Sequence, residues 1–437
     1  MAPEWRNWAR DQACRPAAIE HPATREEVAA SVRRARDRGR SVKVAGAGHS
    51  FNEAALTDGV MLVLDRLTRV IDADCASGLV KVEAGISLRE LNRRLDEVGL
   101  AMENLGDIDV QTLAGAISTA THGTGAAYRN ISAQVEAIEL VDGAGEVREL
   151  AGDEDLLRAA RVGLGALGVI TAVTLRTLRA FTVRRVDEPR PLAELLVSLE
   201  ELCERNEHFE FFVFPHAETA LAIARNRTDE PPRRRGRLAA WANDILLENY
   251  VLELLARTGR RFPAGNRDLA GLATRLLSRT ERVARSHQAF ASERRVRFTE
   301  MEYALPRERG AEAVRRVLDL IAERDVAVFF PIEFRLVAPD DAFLSPAYQR
   351  PTAYVAVHQF ERMPWRDYFE AVEEIMRGYG GRPHWGKRHF QTAATLSDLY
   401  PRWEDFQRAR AELDPAGAFR NAYTDRVLGP PAAATGT

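Results

Sequence analysis

Cysteine is scarce in this chain: Cys14, Cys75 and Cys203 are the only three among 437 residues, and they are scattered without metal-ligand spacing. An odd, dispersed set excludes a disulfide framework and fits a reducing compartment. Long apolar runs are missing as well. Nothing approaches the ~18 consecutive apolar residues of a membrane span, and the opening MAPEWRNWARDQACRP has no apolar core of a secretory leader. Charge of one sign is also missing. Lys and Arg number 61 against 64 Asp and Glu, a net charge of −3, so no overall field recruits nucleic acid or an anionic membrane. These absences point to a cytoplasmic protein with small-molecule partners. The one basic run, PPRRRGR at 231–237, reads as a solvated loop.

What is present is ordinary globular material in excess of one core. A chain of 437 residues passes the roughly 250–300 at which a single core usually divides, so two domains are expected. Residues 1–178 alternate short strands with capped helices. TREEVAASVRRARDRG opens on a Thr24-x-x-Glu27 capping box, and SLRELNRRLDEVG on Ser87-x-x-Glu90 with a stop at Gly99. SVKVAG, VMLVLDRL and LVKVEAG read as strands, and VEAIELVDGAGEVREL as a hairpin. From 179 to 380, EFFVFP, RVRFTEMEYAL, FFPIEFRLVAPDD and TAYVAVHQFE alternate as strands, while GAEAVRRVLDLIAERD and WRDYFEAVEEIMRGYG have helical periodicity. The layout of 227–290 is not legible from its pattern, and 381–437 forms a last segment whose small-residue end is expected to be disordered. The fold class is therefore α+β.

Two glycine-rich stretches carry the chemistry. VAGAGHSFN at 44–52 sets His49 directly after Gly46, Ala47 and Gly48, small residues that let backbone approach a ligand closely. On its own the imidazole could equally be a surface histidine. TLAGAISTATHGTG at 112–125 is almost wholly small or hydroxylated, suited either to wrapping a large polar cofactor or to a packing seam. A third stretch, GLGALG at 163–168, matches the dinucleotide fingerprint G-x-G-x-x-G. Here, however, a helix precedes it and the β-branched VITAVTL follows. That context is reversed for a Rossmann turn, so it reads as a tight turn feeding a strand.

WRNWARDQACRP, VAGAGHSFN, ENLGDIDVQTLAGAISTATHGTG and RPHWGK, in this order, resemble the aldonolactone oxidase group of flavoproteins within the vanillyl-alcohol-oxidase-like superfamily. The group includes gulonolactone, arabinonolactone and alditol oxidases and dehydrogenases. The resemblance implies a PCMH-type FAD-binding domain of two α+β subdomains, then a cap with an antiparallel sheet flanked by helices. It implies that His49 matches the histidine bonded to the flavin 8α carbon. It places the FAD cradle on Val44, Ala45, Gly46, Ala47, Gly48 and Ser50, and on Thr112, Gly115, Thr119, Ala120, Thr121 and His122, with Ile170 after the GLGALG turn. Asp107 stands where alditol-oxidising relatives have a serine near the substrate, a departure that leans towards sugar lactones; Gly106 lies near a position that gates oxygen.

The cap adds a second constellation. Glu333 and Arg335 in PIEFRL are two apart on an expected strand, so both point to one face. They form either a structural ion pair or, by the resemblance, a pair facing the substrate. His358 in AYVAVHQF is either a core histidine or a substrate contact. Lys387 in HWGK matches the lysine that stabilises negative charge on the reduced flavin. Glu302 falls in a family-like stretch, and His384 and His389 have no assigned role. The expected activity is FAD-dependent oxidation of a CH–OH carbon, C2 of an aldono-1,4-lactone, by hydride transfer to flavin N5, with O2 or another acceptor reoxidising the flavin. The alternatives are oxidation of an open-chain alditol at C1 and a flavin-binding protein without catalysis. No metal is expected.

Overall fold

Segments only three residues long can be strands here because the central one, Val60–Leu62, is fully buried and pairs on both edges. Ala18–Glu20, Val60–Leu62 and Val42–Val44 form a parallel sheet with Val60–Leu62 at its centre. The helix Arg25–Asp37 buries Val28, Val32 and Ala35 against it. That helix starts where the capping box places it, with the Thr24 side chain accepting from Glu27 N–H; Ser87 caps Leu88–Glu97 in the same way. The computed structural model describes residues 4–151, 154–233, 252–262, 265–275 and 277–431. Most of the basic run, 234–237, and the terminal tail from 432 onward lie outside the described residues.

A second sheet, antiparallel and five-stranded, runs Val147–Leu150, Val135–Val141, Val169–Arg176, Leu79–Glu83, Val70–Asp74. The expected hairpin is its first pair. The GLGALG turn joins the helix Glu154–Arg161 to the strand Val169–Arg176, in the reversed order read from sequence. The hydroxyl-rich run is part helix. Leu113–Ser118 is a short helix whose first turn is held by the Thr112 hydroxyl accepting from Gly115 N–H.

The third sheet has eight antiparallel strands, ordered Thr280–Arg285, Thr182–Pro191, Thr219–Thr228, His208–Val213, Ile332–Val337, Thr352–Phe360, Phe298–Pro306, Arg382–Pro383. Its two faces divide by the strand period of two. Phe209, Phe211, Ile332, Phe334, Val355, Val357, Met301 and Tyr303 pack outward under the helices Gly310–Glu323 and Arg366–Gly378. Glu210, Glu333, Arg335, His358, Glu300 and Glu302 alternate with them and look inward onto one large cavity. The C-terminal segment crosses back, with Trp385, Tyr400, Phe406 and Tyr423 buried in the core of the five-stranded sheet. Its backbone ties down the first glycine loop through Val42 N to Ala418 O and Phe51 N to Gly386 O, both 2.8 Å.

Candidate active site

Gly46 sits so close to the cap of the Leu113–Ser118 helix that a Cβ there would overlap Thr112 Oγ1. Gly48 has φ +71°, a conformation glycine adopts without strain. Together they clear a groove walled by Val44, Ala45, Gly46, Ala47, Gly48, His49 and Ser50 on one side and Thr112, Gly115 and Thr119 on the other. Leu164, Gly165 and Gly168 of the GLGALG turn, with Ile170, form its floor. A helix N-terminus and a glycine turn thus face one slot, a setting that favours the polar, anionic backbone of a dinucleotide.

The groove opens into the cavity beneath the cap sheet, about 880 Å³ in volume. His49, Ser50, Gln111 and Thr119 line both spaces and mark the junction. Gln111 Oε1 is buried there and has no hydrogen-bond partner among the described residues. A close-walled cradle leading to an orphaned acceptor fits an elongated cofactor such as FAD. His49 stacks on Trp8, ring centroids 5.0 Å apart and 22° from parallel. Burial, helped by the Lys387 charge, pushes its pKa down to about 4. The imidazole is therefore neutral at pH 7 and keeps a lone pair, the form a nucleophilic nitrogen needs.

Charged groups crowd the cavity wall. Arg335 contacts the carboxylates of Asp107 and Glu333, and its Nε donates to Glu210 Oε2 at 3.1 Å. Burial pushes Asp107 up, but Arg335, Arg294 and Arg225 outweigh it and hold the group at about 2. Glu333 goes the other way: burial and the neighbouring Asp107, Glu210 and Glu302 carboxylates outweigh Arg335 and raise it well above the usual carboxylate range. Glu333 is therefore the carboxyl of this cluster that takes up a proton most readily. Lys387 Nζ donates to Glu300 Oε2 at 2.5 Å. Burial opposes ionisation of Glu300, yet above all the Lys387 charge beside it brings it to about 2. His358 Nδ1 lies 2.9 Å from Pro331 O, an atom that only accepts, so the ring hydrogen belongs on Nδ1. Its Nε2 then faces Glu300 Oε1 at 3.6 Å and Glu333 Oε2 at 4.0 Å.

The structure brings Asp107, Glu333, Arg335, His358 and Lys387 together on this cavity. Three residues assigned to the cofactor cradle sit elsewhere. Thr121 and His122 line the large cavity and not the groove, because the chain turns sharply at Ala120, which has φ +56° and is itself fully buried, lining neither space. His122 instead stacks on Tyr354 at 3.7 Å, with Nε2 3.3 Å from Glu302 Oε1. Lys387, expected as a cation near the flavin, is paired with Glu300. Glu210, Arg225, Glu300, Arg294 and Gln111 were missed. A strand-period search for charged residues alternating with apolar ones would have found Glu300 in FTEMEYALP and Glu210 in HFEFFV. His384, without a role from sequence, lines the cavity, and burial lowers it to about 3. His389 is buried off the cavity with Nε2 3.1 Å from the Tyr423 hydroxyl. Among the described residues no helix is long and apolar enough to cross a membrane.

Comparison with known proteins meets this geometry. Residues 173–427 match the D-arabinono-1,4-lactone oxidase family, and residues 16–151 match an FAD-binding domain family. The chain is 49% identical over 432 residues to an L-gulono-1,4-lactone dehydrogenase of Mycobacterium tuberculosis, covering 98% of this chain and all of that one. It is 35% identical to the L-gulonolactone oxidase of Bos taurus (97% and 98% covered) and 31% identical to an alditol oxidase of a Streptomyces species (97% and 98% covered). Among solved structures, a solvent-stable cholesterol oxidase superposes with a TM-score of 0.84 at 18% identity, over 98% of both chains; at that identity the likeness shows the fold.

Proposed function

The chain belongs to the D-arabinono-1,4-lactone oxidase family, and from that premise we propose that it oxidises a CH–OH carbon, C2, of a sugar-derived 1,4-lactone with FAD held covalently at His49. The observation that carries the reading is the meeting of the cofactor groove and the charged cavity at a neutral, stacked His49. Bound FAD supplies the two-electron acceptor, which dioxygen or another oxidant then renews. The division of labour follows the domains proposed from sequence, a flavin domain over 1–178, a cap over 179–380 and a returning segment over 381–437.

The chain's own residues do the rest. The groove from Val44 to Ser50, with Thr112, Gly115 and Thr119, holds the cofactor by backbone N–H groups and hydroxyls. Arg335 donates to the lactone's carbonyl or hydroxyl oxygens, and protonated Glu333 donates a further hydrogen bond. His358 Nε2 takes the proton of the reacting hydroxyl, and the Glu300 carboxylate stabilises the resulting charge. Lys387, fixed by Glu300, supplies positive charge where the reduced cofactor becomes anionic. Asp107 anchors Arg335 and borders the substrate. The cap sheet excludes water from this space. We place the enzyme in the cytoplasm.

The test is anaerobic bleaching of the bound flavin by a panel of aldono-1,4-lactones and alditols. Faster bleaching by a lactone supports the reading. Preference for xylitol or sorbitol replaces it with C1 oxidation of alditols, and bleaching by neither leaves a non-catalytic flavin protein.

A further inference from the structure

Arg335 alone, on a strand, could swing between several carboxylates, yet its far edge is pinned by a second ion pair on the same cavity wall. Glu210 stands directly opposite Arg335 in the sheet register. Its Oε2 accepts from Arg335 Nε at 3.1 Å, and its Oε1 accepts from Arg225 Nη2 at 2.8 Å. Arg225 is in turn locked by its Nε donating to Ala289 O at 3.2 Å, with its guanidinium 5.9 Å from the Phe290 ring centroid. Glu210 and Arg225 are each 2% exposed at the side chain, and a buried carboxylate shared between two guanidiniums has no freedom to rotate.

We propose that Glu210, backed by Arg225, is a positioning residue that fixes the Arg335 fork toward the substrate and, through Arg335, sets the positive charge that reaches Glu333. The inference rests on the proposed role of Arg335 and Glu333. Its electrostatic half follows from counting what faces Glu333: Arg335 on its own strand, Glu210 on one neighbouring strand, His358 on the other, Glu300 and Glu302 one strand beyond, Asp107 from the flavin domain and Lys387 from the returning segment. Arg335 is the closest cation, and Glu210 and Asp107 absorb its charge. With Glu210 neutral, more of that charge falls on Glu333, which then ionises more readily.

The experiment compares wild type with Glu210→Gln, Glu210→Asp and Arg225→Met, all loaded with FAD. Steady-state kinetics on the best lactone or alditol should show kcat/KM lower by on the order of a hundredfold in Glu210→Gln. The larger share should lie in KM, because Arg335 binds the ground state as well. The alkaline limb of the pH profile should move to lower pH. Glu210→Asp should recover part of the loss, and Arg225→Met should resemble Glu210→Gln more weakly. A second readout needs no turnover: the protonated-carboxyl infrared band of Glu333, assigned by its loss in Glu333→Gln, should persist at neutral pH in wild type and fade in Glu210→Gln. Unchanged kinetics and an unchanged band, with only a lower melting temperature, would overturn the proposal in favour of a purely structural pair. If Glu210→Gln does not fold, Glu210→Asp and Arg225→Met decide it by the same two readouts. If no donor bleaches wild type, the proposed function fails while the infrared comparison still decides the carboxyl claim.

Discussion

At the scale of single residues, two side chains define what this site can do. His49 is neutral near pH 7 because burial lowers it to about 4, so it can bond to carbon without first losing a proton. Acid-precipitated wild type should keep its yellow colour in the pellet, and His49→Ala should release it to the supernatant while still binding FAD reversibly. Colour lost from fully loaded wild type would end the covalent assignment. Lys387 and Glu300 form the second case. Glu300 is buried and Lys387 half-buried beside it, and the pair is ionised at neutral pH because burial is outweighed on both sides, by Glu300 for the lysine and by Lys387 for the glutamate. Removing one charge strands the other. Lys387→Met should cost about 3–5 kcal/mol in denaturant unfolding, and the double variant with Glu300→Gln should recover much of it. Additive losses in that cycle would show that the two groups do not depend on each other.

At the scale of elements, the sequence was readable wherever hydrophobic periodicity met a stop signal. The capped helices Arg25–Asp37 and Leu88–Glu97 and the strands Ile332–Val337 and Thr352–Phe360 lie where patterning puts them. Thr182–Pro191 escaped because its sequence, TVRRVDEPRP, is charged and holds two prolines; long-range pairing with Thr219–Thr228 and Thr280–Arg285 makes it a strand, and such pairing leaves no local trace. Leu113–Ser118 escaped for the opposite reason: its glycine, alanine and serine signal no period, and one threonine cap starts it. The glycine loop was legible as a close-approach device, but its counterpart Thr112 became visible as such only in three dimensions. That contact makes a prediction. Gly46→Ala places a methyl group against Thr112 Oγ1, so it should lower the flavin-to-protein ratio after purification with little change in far-ultraviolet circular dichroism. Full flavin loading in Gly46→Ala would show that the groove has slack.

At the scale of the whole molecule, the buried ionisable groups set a pH window. His208 and His384 are held by burial at about 3, against an ordinary 6.5, and burial also keeps His389 well below it. The unfolded chain takes up protons below pH 6.5 that the native protein refuses, so these three favour unfolding as pH falls. Asp340 opposes them. Burial raises it to about 6 from 3.8, so the folded form binds the extra proton and gains stability on acidification across that interval; Glu333, also raised, acts in the same direction. Burial lowers His49, His216 and His287 as well and raises Glu373 and Asp414, so six displaced histidines against four displaced carboxyls leave a shallow loss of stability between pH 6.5 and about 4.5. Below 4.5 the balance steepens. Asp107 and Glu300 are both held at about 2, against 3.8 and 4.5, and their stabilisation, complete above those ordinary values, disappears as the pH falls toward 2. Both anchor the cations that shape the active site, Arg335 and Lys387, so acid should loosen the cap's hold on the flavin domain along with overall stability. Thermal unfolding followed from pH 7 to 3 should show a small drop in melting temperature to pH 4.5 and a sharp one below it. The sharp phase should be reduced in Asp107→Asn, which has already lost that carboxylate; a melting temperature that rises or stays level from pH 6 to 4 would mean that the buried histidines are not neutral in the native protein.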